Sequence, residues 1–242
     1  MDYMNVATLI SAGRKLSGQV GKLKFSPPVT HVYNPLDYAR APYESYLTQF
    51  APGKKRAVFL GMNPGPWGMA QTGIPFGEIP AVRDWMGICE TVGKPPVEHP
   101  KRAVQGFTCE KSEVSGRRLW GLFKERYGTA ADFFREHFVL NYCPLVFMGE
   151  TGANITPDKL PVPETEELFS DCDEHLKVFI RVLEPEFLVA VGNFAEGRLK
   201  QIVPDGVRLT RVLHPSPASP AANRDWAGTA TRQLLAAGVW RS

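Results

Sequence analysis

Four short apolar runs restrict the fold of this chain more than any other feature of its sequence. They are rich in β-branched and aromatic residues and occupy residues 56–61 (RAVFLG), 137–141 (HFVLN), 187–192 (FLVAVG) and 207–214 (VRLTRVLH). Apolar runs of this length are typical of strands that are buried on both faces of a parallel sheet. The sequence therefore predicts a buried sheet of four strands.

Helical patterns lie between and around these runs. In residues 164–184 the apolar side chains recur every three or four positions, which places them on one side of a helix, and the acidic residues fall mostly on the other faces. Residues 5–15, 116–127 and 223–237 are further predicted helices. Strands that alternate with helices predict a three-layer α/β/α architecture with a mainly parallel, four-stranded central sheet, in one domain that spans residues 1–242.

Neither the cysteines nor the N-terminus indicates a metal centre or a targeting segment. Cys89, Cys109, Cys143 and Cys172 stand far apart, without a CxxC pair or a histidine at zinc-ligand spacing. Residues 1–18 lack a basic segment before an apolar run, and no apolar stretch reaches membrane-spanning length. We therefore expect no metal, no cofactor and no membrane partner. We also expect an intracellular monomer, in the cytoplasm of a bacterium or the nucleus of a eukaryote.

The charge of the chain is mild but unevenly distributed. The formal net charge is +3, with 15 basic against 9 acidic residues in 1–121 and 13 against 16 in 122–242. This asymmetry is compatible with one basic face, the minimum electrostatic requirement for binding a polyanion such as DNA. An ordinary solvated surface explains it equally well.

Polar side chains stand at the carboxyl ends of three predicted strands. Asn63 closely follows the first run, Asn141 ends the second, and His214 ends the last. In a parallel sheet the ligand crevice lies beyond the carboxyl ends of the strands. Taken alone, each residue also fits a structural role, because asparagine is common in turns and a lone histidine is commonly a hydrogen-bonded scaffold residue. Their convergence at strand ends favours a shared site.

The segment 61–77 is the strongest single feature of this predicted site. Five glycines and three prolines describe a rigid loop whose backbone can approach a ligand closely and present N–H groups to it. The loop lacks both GxxxxGK[ST] and GxGxxG, so neither a nucleoside-triphosphate site nor a dinucleotide site is indicated.

Three segments carry a resemblance to a known family. They are GMNPGPWGMAQTGIPFGE (61–78), NYCPLVFM (141–148) and HPSPASPAANRDW (214–226), and VYNPLDYARAPYESY (32–46) is also similar. Together they resemble the single-strand-selective monofunctional uracil-DNA glycosylase family, within the uracil-DNA glycosylase superfamily. The resemblance implies a DNA repair enzyme that flips uracil out of single- or double-stranded DNA and excises it. The product is an abasic site.

The resemblance also implies a catalytic pair. Asn63 matches the asparagine that positions water, and His214 matches the histidine that stabilises the leaving group. Cleavage of an N-glycosidic bond develops negative charge on uracil, so hydrogen-bond donors aimed at uracil O2 lower the barrier. His214, as a neutral donor or an imidazolium, fills this role together with backbone N–H groups near Met62. An amide is too weak a base to deprotonate water, so Asn63 only orients it.

Four further residues are expected to bind the base. Asn141 matches the asparagine that reads uracil, whose O4 acceptor and N3–H donor are reversed in cytosine. Phe76 matches the aromatic residue that stacks on the flipped base. Gly65 matches the glycine that leaves room beside the pyrimidine C5, which implies activity on 5-substituted uracils such as 5-hydroxymethyluracil. Met69 together with Gly65 sets the size of the pocket.

The loop after His214 is the expected DNA-binding element. In the family this loop and the short helix that follows it press into the duplex while the base is extruded. The corresponding residues here are Pro215, Ser216, Pro217, Ala218, Ser219 and Asn223. Family members often carry a basic residue where this chain has Ala218, so duplex binding is expected to be weaker.

Other functions remain compatible with the sequence. A glycosylase of the same superfamily that prefers deaminated purines, such as xanthine or hypoxanthine, would differ in pocket size. A catalytically silent binder of damaged DNA would share the fold, although the presence of both Asn63 and His214 is evidence against it. A hydrolase of free nucleosides would need no DNA-binding loop.

Overall fold

The computed structural model describes residues 2–241 of the chain. The α-helices are α1 (Asp2–Val20), α2 (Pro35–Tyr38), α3 (Arg40–Phe50), α4 (Met69–Thr72), α5 (Val114–Tyr127), α6 (Ala130–Glu136), α7 (Val162–Leu183), α8 (Asn193–Ile202) and α9 (Pro220–Ala236). The strands are β1 (His31–Tyr33), β2 (Ala57–Gly61), β3 (His137–Asn141), β4 (Val146–Met148), β5 (Asn154–Ile155), β6 (Phe187–Val191) and β7 (Arg208–Val212). Single helical turns occur at Ala81–Trp85, Gly106–Thr108 and Pro157–Lys159.

The central sheet has the predicted four strands. Their order is β3-β2-β6-β7, and every neighbouring pair is parallel. β2 and β6 are buried along their whole length. The prediction that β7 is buried is wrong, because β7 lies at the edge of the sheet and its Arg208 and Arg211 are exposed. An edge strand needs apolar side chains only where a helix covers it.

Helices cover both faces of this sheet. Val58 of β2 pairs with Phe138 of β3, so these two side chains share one face of the sheet. Successive residues of a strand point to opposite faces, so Phe59 points to the other face. The Phe59 ring lies 5.0 Å from that of Phe123 in α5, whereas the Phe138 ring lies 6.3 Å from that of Phe179 in α7. The predicted three-layer α/β/α architecture is therefore confirmed.

A second, small sheet lies outside the prediction. β1, β4 and β5 form an antiparallel sheet in the order β1-β4-β5. Its strands have two or three residues, which is too short for a hydrophobic period to show in the sequence. The sheet matters for function because β4 and β5 follow β3 and bring Asn154 and Thr156 to the site described below.

The predicted helices have counterparts in α1, α5, α7 and α9, each of which begins before its predicted range, and the apolar stripe of α7 is buried. The prediction of one continuous helix over 223–237 is wrong at Asp225, whose extended backbone puts a kink into α9. α9 begins at Pro220 because the Ser219 hydroxyl accepts a hydrogen bond from the Ala222 N–H, which makes Ser219 the N-cap. No helix within residues 2–241 combines the length and apolar character needed to cross a membrane.

Candidate active site

The carboxyl ends of the central strands enclose a cavity. Gly61 at the end of β2 pairs with Asn141 at the end of β3, and His214 follows β7 by two residues. The cavity has a volume of about 490 Å³. The predicted residues that line it are Met62, Asn63, Gly65, Met69, Phe76, Asn141, His214, Ser216, Pro217, Ala218 and Ser219. The sequence analysis missed Pro66, Glu113, Ser115, Asn154 and Thr156, which line it too.

Asn63 is held by one end of its amide. Its Nδ2 donates a hydrogen bond of 3.2 Å to the carbonyl oxygen of Leu145, in the segment that links β3 to β4. The protein thus engages the donor of this amide and fixes its orientation. Oδ1 can only accept hydrogen bonds, so this end of the amide offers the cavity an acceptor.

The backbone fixes the tautomer of His214 through a hydrogen bond that the ring accepts. The backbone N–H of Ser216 donates to Nδ1 over 3.1 Å, so the ring hydrogen of the neutral imidazole is on Nε2. Burial lowers the pKa of His214 to about 4. The ring is therefore uncharged near pH 7. Of the two forms compatible with the sequence, the structure favours the neutral donor over the imidazolium.

Asn141 carries a buried acceptor. Its Nδ2 makes a hydrogen bond of 3.4 Å to the sulfur of Met69, a weak acceptor. Its Oδ1 is buried and has no hydrogen-bond partner among the described residues. A buried polar atom without a partner costs about 1–3 kcal/mol. A planar ligand edge that offers an N–H beside an acceptor would satisfy both ends of this amide.

Phe76 forms an apolar wall of the cavity and has an unusual backbone conformation. Its φ is 53°, in the left-handed region that side chains other than glycine rarely adopt. Trp120 of α5 stabilises this conformation by donating from Nε1 to the Phe76 carbonyl over 3.0 Å. A Cβ on Gly61 would lie 2.5 Å from Cε2 of the ring, so glycine is required where the ring packs.

Gln71 anchors the loop that carries Asn63, Gly65 and Phe76. This buried side chain donates to the carbonyl oxygens of Pro66 and Ala103 over 3.0 and 3.2 Å. Its Oε1 accepts from the N–H groups of Gln105 and Gly106 over 2.7 and 3.2 Å. Three of these hydrogen bonds tie the loop to residues 103–106 and the one to Pro66 closes the loop on itself, so the predicted rigidity has a specific cause.

Glu113 is the charged residue of the cavity that the sequence analysis missed. Its side chain packs against two glycines of the loop: a Cβ on Gly65 would collide with the carboxyl group, and a Cβ on Gly68 would lie 2.8 Å from Glu113 Cγ. Burial raises the pKa of this carboxyl, and hydrogen bonds from the backbone of Trp67 and Ser115 partly oppose that effect. A lone glutamate before a helix indicates only a helix N-terminus in the sequence, so nothing singled it out.

The loop after His214 is held by Arg118 of α5. Arg118 Nη1 donates to the carbonyl oxygen of Pro215 over 3.0 Å, and Nη2 donates to Asn223 Oδ1 over 2.8 Å. Asn223 Nδ2 in turn donates to the Pro217 carbonyl over 2.8 Å. Pro215 is buried, whereas Pro217 and Ala218 are exposed at the rim. The structure thus gives Pro215 and Asn223 contacts within the loop, and their contact with DNA stays a prediction.

Comparisons with known proteins agree with this architecture. A model of the family described as the uracil DNA glycosylase superfamily matches residues 47–236. A single-strand selective monofunctional uracil-DNA glycosylase of Rattus norvegicus is 46% identical over 229 residues, which cover 93% of this chain and 82% of the relative. One of Bos taurus is also 46% identical, over 93% of this chain and 84% of its own. The crystal structure of wild-type Pedobacter heparinus SMUG2 has the same fold, with a TM-score of 0.67 and 16% identity over 94% of this chain and 97% of that one.

The parallel sheet with its strand-end cavity, together with the family match, defines a protein of the uracil-DNA glycosylase superfamily. Within that superfamily, the chain belongs to the single-strand selective monofunctional uracil-DNA glycosylase family. The resemblance inferred from the sequence motifs is confirmed.

Proposed function

We propose that this enzyme excises uracil from DNA by hydrolysing the N-glycosidic bond, as a DNA repair glycosylase that leaves an abasic site. One observation carries the proposal: Asn63, Asn141, Phe76 and His214 line a single cavity at the carboxyl ends of the strands. Its volume of about 490 Å³ is in the range of about 300–1,000 Å³ that is typical of small-molecule sites. A base and part of its sugar fit this space.

The bond between C1′ of the sugar and N1 of uracil breaks with both electrons passing to the base. His214 Nε2–H points its donor to uracil O2, where the negative charge develops, and it does so without becoming charged. Water held by Asn63 Oδ1 adds to the cation-like C1′, and the proton it loses passes to solvent or to the uracil anion. No covalent enzyme intermediate is required, which fits a monofunctional enzyme.

Recognition of the base follows from Asn141 and Phe76. The unpaired Oδ1 of Asn141 accepts from uracil N3–H, and Nδ2 exchanges the weak Met69 contact for uracil O4. Cytosine offers the reverse pattern on this edge and is rejected. Stacking of the base on Phe76 contributes about 1–3 kcal/mol.

The finer substrate range is part of the proposal. Gly65 on the cavity wall supports activity on 5-substituted uracils such as 5-hydroxymethyluracil. The exposed Pro217 and Ala218 at the rim support action on duplex as well as single-stranded DNA, because the duplex must be opened to release the base. We also propose that the enzyme works as a monomer, inside the cell where DNA is found.

The test is excision under single-turnover conditions in EDTA. The substrates are oligonucleotides with one uracil, 5-hydroxymethyluracil, xanthine or hypoxanthine, each single-stranded and duplex, together with free deoxyuridine. Heat or alkali cleavage at the abasic site reports the product. We expect excision of both pyrimidines in both strand contexts and none of deoxyuridine. Faster excision of the purines would indicate the alternative specificity, and specific binding of uracil DNA without excision would indicate a silent binder.

A further inference from the structure

One peptide group connects Arg118 to the ring of His214. The carbonyl oxygen of Pro215 accepts from Arg118 Nη1 over 3.0 Å, and the N–H of Ser216, on the other side of the same peptide bond, donates to His214 Nδ1 over 3.1 Å. We propose that Arg118 is a positioning residue that acts through this peptide group to hold His214 in the tautomer with hydrogen on Nε2. The proposal rests on the function proposed above for His214.

The physical basis is polarisation of the peptide group. A guanidinium bound to a carbonyl oxygen draws electron density from the amide and makes its N–H a stronger donor. A stronger donor stabilises the imidazole form whose Nδ1 keeps its lone pair. The other tautomer would place a hydrogen on Nδ1 against the Ser216 N–H. Arg118 thus favours the tautomer that presents Nε2–H to the base.

Burial keeps the His214 ring neutral near pH 7, because it lowers the pKa of the imidazole to about 4. A neutral imidazole carries one ring hydrogen, and burial alone does not decide which nitrogen holds it. The hydrogen bonds on the two sides of the Pro215–Ser216 peptide group make that choice. Arg118 therefore acts on the tautomer of the ring.

Arg118 is itself fixed by the loop. Every hydrogen bond that its guanidinium donates in the described structure goes to this loop or to the first turn of α9: to the carbonyls of Pro215 and Ser216 and to Asn223 Oδ1. Its planar fork is therefore bound on two edges, which a lysine cannot reproduce. The neighbouring Arg117 is exposed, and its one hydrogen bond to another described residue goes to Ser112 Oγ, over 3.4 Å. Arg117 thus offers a control with the same charge and no hydrogen bond to the described loop.

The experiment compares wild type with the Arg118→Ala, Arg118→Lys and Arg117→Ala variants. Ring ¹⁵N chemical shifts of His214, assigned with a His214→Gln variant, report its tautomer and charge. Single-turnover excision of uracil from a single-stranded oligonucleotide reports its function without the need to open a duplex, and the same oligonucleotide as a duplex is measured beside it. We expect Arg118→Ala to populate both tautomers and to slow excision about tenfold, the effect of one lost hydrogen bond. The tautomer populations and the excision rate of Arg118→Lys should lie between those of wild type and Arg118→Ala. Arg117→Ala should match wild type in both.

Two outcomes would overturn the proposal. One is an Arg118→Ala or Arg118→Lys protein whose His214 keeps only the Nε2–H tautomer. The other is a rate loss confined to duplex substrates, which would limit Arg118 to supporting the loop. If Arg118→Ala does not fold, the Arg118→Lys spectrum decides. The tautomer is observed without substrate, so a failure of wild type to excise uracil would contradict the proposed function while leaving this measurement valid.

Discussion

Hydrogen bonds to the protein decide what each polar side chain of the cavity can offer a substrate. Asn63 gives its donor to Leu145, and His214 gives its Nδ1 acceptor site to Ser216. Asn141 keeps a buried oxygen without a partner among the described residues. In the proposed mechanism, these groups are the acceptor for water, the donor for uracil O2 and the amide that reads the base edge, and hydrogen bonds to the protein orient the first two before substrate binds. Such preorganisation is the main source of electrostatic catalysis in enzymes.

The neutrality of His214 gives a prediction about pH. Its pKa of about 4 means that the ring is neutral from about pH 5 upward, and protonation would force a hydrogen onto Nδ1 against the Ser216 N–H. Single-turnover excision should therefore be flat from pH 8 to pH 5 and fall as the pH approaches 4. His214→Ala should lose about 10²–10³ in rate at every pH, with a smaller change in DNA binding. A wild-type rate that already halves near pH 6.5 would contradict the neutral-donor mechanism.

Glu113 gives a second prediction at this scale. The Gly65→Ala substitution places a methyl group against the Glu113 carboxyl, so the loop must shift even before substrate binds. We expect Gly65→Ala to lose excision of both uracil and 5-hydroxymethyluracil. Adding Glu113→Ala should restore part of the uracil activity but little for the 5-substituted base, whose substituent still meets the new methyl group. Gly121→Ala, at a glycine with nothing within 4 Å of its Cβ position, is the matched control and should match wild type.

A Gly65→Ala variant that keeps full activity on uracil would show that the loop adapts. If the double variant recovered excision of uracil and of 5-hydroxymethyluracil equally, the clash with Glu113 alone would cause the defect of Gly65→Ala. In that case Gly65 would have no part in the recognition of C5.

At the scale of elements, the periodicity of apolar residues predicts those helices and strands whose buried side lies within one short segment of the sequence. The run 137–141 coincides with β3, and the α7 stripe from Leu168 to Leu183 is buried as predicted. α3 and α8 were missed, although Tyr43, Tyr46, Leu47 and Phe50 of α3 do recur at helical spacing and are buried. β1, β4 and β5 are defined by pairing between distant segments, which no short window of sequence contains.

The residues of the candidate site also divide into those that a local sequence pattern reveals and those that depend on contacts between distant segments. Asn63, Asn141 and His214 could be found because they end strands and belong to recognisable motifs. Glu113 and Arg118 could not, because each acts on a loop that is distant in sequence and their own neighbourhoods look like an ordinary helix start. Their roles depend on how α5 packs against the loops at residues 65–68 and 215–223.

The loop between β7 and α9 carries the prediction at this scale. Ala218 is exposed at the rim of the cavity, where a basic side chain would reach DNA. Ala218→Arg should strengthen duplex binding and steepen its salt dependence by about one phosphate contact. The gain should be smaller on single strands, because they have no partner base to unstack. Binding of uracil-containing duplex and single-stranded oligonucleotides across a salt series measures both effects.

Ala227→Arg is the control for added charge, because Ala227 is an exposed residue of α9 outside the cavity lining. The loop would be a surface turn if Ala218→Arg and Ala227→Arg increased the affinity for DNA equally. The same conclusion would follow if Ala218→Arg increased the affinity for duplex and single-stranded DNA equally. Another segment would then open the duplex.

At the scale of the whole molecule, the layers that position the site also bury the rings of His137 and His175. His137 begins β3 and His175 lies on the inner side of α7, and they are only 1% and 7% exposed. The His175 ring lies 4.7 Å from that of Phe179, and its Nε2 has no hydrogen-bond partner among the described residues. The fold therefore tolerates these rings only in the neutral form.

This burial predicts that the protein loses stability in mild acid. Desolvation lowers the pKa of both His137 and His175 to about 4, against about 6.5 in the unfolded chain. Between these values the unfolded state binds more protons than the folded state, so the free energy of unfolding falls as the pH falls. The expected loss is about 1 kcal/mol for each histidine between pH 7 and pH 5.5. Urea unfolding at the two pH values measures it in wild type and in His175→Phe, which removes one titrating ring and should lose correspondingly less. Equal losses in the two proteins would show that His175 is protonated in the folded state or that other groups dominate the acid response.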